Sequence, residues 1–204
     1  MTKFLVSLIA LVILTPVFGS ETAPNGQTTS MQYSTVVIHS KTGKEGSFHK
    51  VWLDGEKARV EEYSNPSSAL QSVLLTDGKT GYMYTPRTGN ATVFSGIRTL
   101  TGVTAAFVTE DNLKAAYGGI VKSAPDEVIH GVKCHTYKVG GMLAWFNAST
   151  RVGIRYASVR EAATSGGTYF SDVKFPADHA PSLYTIPSDA HVKGLGFTPG
   201  VGGK

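Results

Sequence analysis

Leu74-Leu75-Thr76-Asp77-Gly78-Lys79-Thr80-Gly81-Tyr82-Met83-Tyr84-Thr85 decides the fold. Asp77-Gly78 is a strong turn signal, because glycine accepts the positive φ that tight hairpins demand. Ser72 to Thr76 and Gly81 to Thr85 read as the strands on either side. A strand alternates its side chains with a period of two, so Tyr82 and Tyr84 share one face. The pattern repeats upstream. Asp54-Gly55 separates a strand over 48–53, with Phe48 and Trp52 on one face, from a charged strand over Lys57 to Tyr63. Tyr33 to Ser40 reads as the first strand, followed by a turn over Thr42-Gly43-Lys44-Glu45-Gly46. Downstream, Pro86 to Asn90 turns the chain into Ala91 to Phe94. Gaps this short exclude the crossovers a parallel sheet requires, so these strands form an antiparallel meander.

The period changes after the meander. Val103, Phe107, Leu113 and Tyr117 predict one helix or two short ones, starting at Thr101 or Thr109 and stopped by Gly118-Gly119. Strands resume over Val132 to Val139, Met142 to Phe146, Arg151 to Arg160 and Thr168 to Phe175. Pro176, Pro181 and Pro187 then impose an extended course, with a short edge strand expected over Leu183-Tyr184-Thr185-Ile186. Residues 194–204 are rich in glycine and read as a disordered tail.

The first nineteen residues have a different character. Lys3, the apolar run Phe4 to Leu14 and a small residue at Gly19 are laid out like a secretory signal peptide cleaved after Gly19. The run is shorter than the roughly 20 residues of a spanning helix. Ser20 stands where lipid attachment would require cysteine. The expected organisation is therefore a signal peptide (1–19), a flexible leader (20–32), one domain (33–193) and a tail (194–204). The product is expected to be soluble after cleavage, in the periplasm or secreted. A hydrophobic content of 41% with 17% charged residues suits a folded chain. The net charge of +4 is too small and dispersed to argue for nucleic acid. Cys134 is the single cysteine. No internal disulfide can form, and in its alternating apolar stretch Cys134 reads as an inert buried thiol.

No catalytic motif is present. The Gly78-Lys79-Thr80 string lacks the earlier glycine of a phosphate loop, since Val73 occupies that place. Neither a G-x-S-x-G elbow nor an H-E-x-x-H helix occurs. The six histidines, His39, His49, His130, His135, His179 and His191, show no helical pairing, and read as surface or turn residues. No metal or cofactor is expected. The aromatic residues admit two readings. They fill an ordinary core, the general case, or they line an apolar cavity on a bent sheet with the Val103–Tyr117 helix as its lid.

Three segments carry a family resemblance: 51–61 (VWLDGEKARVE), 74–86 (LLTDGKTGYMYTP) and 127–139 (EVIHGVKCHTYKV), followed by Phe175-Pro176. Their order over Tyr33 to Ile186 resembles the periplasmic lipoprotein-carrier superfamily, with its LolA-, LolB- and RseB-type members. The resemblance implies a mainly β, α+β fold: a strongly curved antiparallel sheet forming an incomplete barrel with a helical lid. It also implies a non-enzymatic envelope protein holding a lipid, a lipoprotein acyl chain or another hydrophobic ligand, and meeting an envelope membrane protein. Trp52, Tyr82, Tyr84, Phe107, Trp145 and Tyr156 are the candidate cavity residues. The competing expectations are an envelope sensor without lipid carriage, or a hydrolase whose triad is assembled only in space.

Overall fold

The computed structural model describes residues 30–78, 80–94 and 105–194. The expected signal peptide, most of the leader and all of the tail beyond Gly194 lie outside the described residues, as do Val103, Lys79 and the Thr101 helix start. Twelve strands form one sheet: β1 (Met31–Ile38), β2 (Glu45–Asp54), β3 (Lys57–Tyr63), β4 (Leu70–Thr76), β5 (Gly81–Thr85), β6 (Asn90–Phe94), β7 (Val121–Ile129), β8 (Val132–Val139), β9 (Met142–Asn147), β10 (Gly153–Ser158), β11 (Gly167–Lys174) and β12 (His191–Gly194). Their order is β12-β6-β5-β4-β3-β2-β1-β11-β10-β9-β8-β7, so the sheet does not close on itself.

The Asp-Gly hairpins fall where the sequence puts them. Gly55 and Gly78 have φ of 61° and 95°, a region closed to most side chains. Two readings need correction. The leader reading runs two residues into β1, which starts at Met31. The edge strand expected over 183–186 is instead a 3-10 turn, Pro181–Tyr184, entered through Pro181 with Thr185 N–H closing back on the Ser182 carbonyl at 3.3 Å. Proline fixes φ in the helical range and suits a first turn. The edge belongs to β12, which pairs with β6 in the sheet's one parallel pairing among the described residues. Its residues are all exposed, so no alternation marked it.

Helix α1 (Glu110–Tyr117) follows the N-cap Thr109, whose hydroxyl accepts from Asn112 N–H at 3.1 Å. The backbone turns at Gly118, φ 48°. The segment 105–117 is the hub of the core. Val108 clusters with Met31, Tyr33, Val51, Leu53 and Ala58 on β1–β3. Its neighbour Phe107, with Ala106 and Leu113, clusters with Tyr137, Val139, Ala144 and Phe146 on β8 and β9. The same short segment thus packs against β1–β3 and against β8–β9, well separated in the strand order, and the sheet bends around it.

Backbone meets backbone where this segment crosses β10. Gly153 N–H donates to the Val108 carbonyl at 2.8 Å, and a Cβ on Gly153 would collide with the Phe107 carbonyl oxygen. Gly153→Ala should cost about 1–3 kcal/mol, the usual range for overpacking. A thermal melt checks this, with a fall of about 5 °C expected.

At the far margin, β7 carries Pro125 and a register shift between Ala124 and Glu127, and nearly all its side chains are exposed or partly so. Helix α2 (Val159–Ala162) closes the β10–β11 connection with a capping box between Ser158 and Glu161.

Candidate functional site

Cross-strand registers separate the two faces of the sheet. Tyr33, Val51, Val60, Leu74, Met83 and Thr92 pair in succession from β1 to β6, forming one apolar row on the face that carries the 105–117 segment. Tyr33 and Val51 are fully buried under it, at 0% and 1% exposure. Val60, Leu74, Met83 and Thr92 are only half-buried. The row thus begins as core and continues as a partly open apolar strip over β3–β6.

The opposite face is covered only in part by the chain itself: Val73, Leu75 and Ala91 are buried, while Trp52, Tyr82, Tyr84 and Val93 stay half-buried. Trp52, Arg59, Leu75, Tyr82 and Val93 form a row there, beside Glu61, Val73, Tyr84 and Ala91. Arg59 bonds Glu61 at 2.7 Å and donates to the Leu183 carbonyl at 3.2 Å, placing the Pro181–Tyr184 turn over this face. Tyr184 is buried with its phenol 2.7 Å from His179 Nδ1, and burial pushes its ionisation far up.

The six expected cavity residues therefore do not meet in one place. Phe107 and Tyr156 do: their rings stack with centroids 4.7 Å apart on the helix side, and Phe170 packs against Tyr156. Trp52, Tyr82 and Tyr84 lie half-buried on the opposite face, away from the helix. Trp145 also points away from it, fully buried with Cys134 and Ala157. Its ring lies 4.5 Å from the Arg155 guanidinium, which faces Tyr169 at 5.3 Å and donates to the Gly166 and Glu161 carbonyls. Burial raises the Cys134 thiol, as an inert role requires. What the sequence reading missed is the aliphatic strip, Val60, Leu74 and Met83. Its signal was present as the alternate set of positions in the same strands, passed over because aromatic rings bury more area each.

A second cluster fixes the helix. Glu110, 3% exposed, accepts from Lys114 Nζ and Tyr137 OH, each at 2.6 Å. It also meets His135 Nδ1 at 3.2 Å and Arg151 Nε at 3.5 Å. Burial alone would raise this carboxyl, but the four hydrogen bonds together hold it down at about 2. His135 thus proves to be a helix anchor. All of Glu110's close partners come from this chain, and the group acts as a clamp between α1 and β8.

Among the described residues no group of three or more His, Cys, Asp or Glu is arranged to hold a metal, and no helix is long and apolar enough to cross a membrane. A polar cleft of about 730 Å³ lies between the β1–β2 turn and α2, lined by Ser40, Lys41, Ser158, Arg160, Glu161 and Thr164. It touches none of the six aromatic candidates.

A solved structure from Thermus thermophilus, titled an uncharacterized conserved protein, superposes with a TM-score of 0.54 at 11% identity, over 82% of this chain and 91% of that one. The two share a fold. Other similar solved structures include a LolA superfamily protein from Nitrosomonas europaea (TM-score 0.34, 15% identity, 80% and 92% of the two chains). LprF from Mycobacterium bovis is another (TM-score 0.39, 14% identity, 81% and 91%). No protein-family model matches the sequence, and no curated protein matches it significantly.

Proposed function

We propose that this chain is a non-enzymatic binding protein of the cell envelope that holds an acyl chain or similar hydrophobic ligand against the helix-side face of its sheet. The observation that carries this reading is the row from Tyr33 to Thr92, sealed at one end and half-open over β3–β6. Val60, Leu74 and Met83 form the floor of the site, and the Phe107–Tyr156 stack stands across the bend of the sheet. Burial supplies the affinity. Each methylene removed from water contributes about 0.8 kcal/mol, so two more methylenes should tighten binding about tenfold.

The experiment is native mass spectrometry of the purified protein for co-purified lipid, followed by titration with a fluorescent fatty acyl probe. Met83→Asp places a carboxylate in the strip and should weaken uptake at least tenfold while the melting temperature stays near that of the parent. Equal uptake by parent and variant, or no uptake by either, overturns the assignment.

A further inference from the structure

Beside the apolar row runs a polar one. Thr35, His49, Glu62 and Ser72 pair in succession across β1 to β4, and Thr35 continues to Phe170 on β11. The strand period puts them on the same face as Val51, Val60 and Leu74, one step toward the β1–β2 turn. Ser72 Oγ donates to Glu62 Oε2 at 2.8 Å, and the Thr35 hydroxyl lies 3.4 Å from His49 Nδ1. Burial lowers the His49 imidazole, with the Glu62 carboxylate pulling the other way. The two rows contain no lysine or arginine, and Glu62 is their only carboxylate. An acyl chain lying on the apolar row thus has an acceptor-rich, negatively charged strip alongside it.

We propose that the ligand is a single-chain amphiphile whose head donates hydrogen bonds, a hydroxyl or an amine, and lies over Glu62; a fatty-acid carboxylate is disfavoured there. This rests on the binding reading above and adds the polarity and direction of the ligand. A second carboxylate brought beside Glu62 is repelled. A donor head instead gains a charge-assisted hydrogen bond, about twice as strong as a neutral one.

The test holds the chain constant and varies the head. Dodecylamine, monolauroylglycerol and laurate compete against an uncharged naphthylamine dye bound to the purified protein. The amine and the glyceride should displace the dye at concentrations at least tenfold below that of laurate. Glu62→Gln should bring amine and laurate to within about threefold of each other, whereas Glu61→Gln, on the opposite face, should keep the full gap. Equal potency of all three heads, tighter binding of laurate, or a gap that survives Glu62→Gln overturns the head-group assignment but leaves an acyl site standing. If neither the dye nor any of the three binds, both readings fall together.

Discussion

Replacing Glu110 with alanine should lower stability by about 3 kcal/mol, the low end of what removing one partner from a buried charge-paired group costs. The clamp it removes joins elements distant in sequence: Lys114 on α1, His135 and Tyr137 on β8, and Arg151 in the β9–β10 turn. Tyr137 is 9% exposed, so its hydroxyl would lose its acceptor in a site with little access to water. The direction of the pH effect follows from the depressed ionisation. With the group at about 2 in the fold and at an ordinary value near 4.5 when unfolded, its stabilisation is complete above about pH 4.5. It is lost as pH falls toward 2. Urea unfolding at pH 6 and at pH 3 checks both parts. The parent should weaken markedly between the two, while Glu110→Ala should already be weak at pH 6 and lose less on acidification. A variant as stable as the parent at pH 6 would show that the clamp contributes nothing.

Trp145→Ala should be the most damaging single truncation, costing about 3–5 kcal/mol, the range for a fully buried tryptophan. The ring is 1% exposed, and its loss leaves a cavity among Cys134, Ala157 and Leu143. It also strips one π face from Arg155, a guanidinium 4% exposed whose nearest polar partners are carbonyl oxygens. Stacking on two rings compensates a cation that has no carboxylate partner among the described residues. Trp145→Phe restores a ring at that place and should recover much of the loss. Denaturant unfolding of both variants provides the comparison, and equal destabilisation by Ala and Phe would remove the cation–π part of the argument.

Much of the sheet was legible because turn chemistry is local. Asp54-Gly55, Asp77-Gly78 and Gly140-Gly141 announce hairpins from two residues each. The faces were harder to read. Period two says that Tyr82 and Tyr84 lie together, and they do, opposite Leu75 and Val73. It does not say which side the helix covers. Size favoured the aromatic set, yet the helix lies on the aliphatic one. Only Phe107 and Tyr156 were both chosen and brought into contact. Of the Glu110 clamp only the i, i+4 pairing with Lys114 is local, since His135, Tyr137 and Arg151 lie 25, 27 and 41 positions away. His49 and Glu62 became neighbours only once β2 and β3 were in register. The turn over 181–184 was mistaken for a strand because Leu-Tyr-Thr-Ile has strand-like composition, while the proline before it governs the backbone.

An unclosed sheet has two margins where another polypeptide could add itself. On β7, Pro125 removes one amide donor and the irregularity after Ala124 breaks the ladder's even spacing, with Lys122, Asp126 and Glu127 alongside. Such a border is a poor template for a visiting strand. The protein can therefore leave its sheet unclosed, with the Val60–Leu74–Met83 strip half-buried, without that border inviting fibril growth.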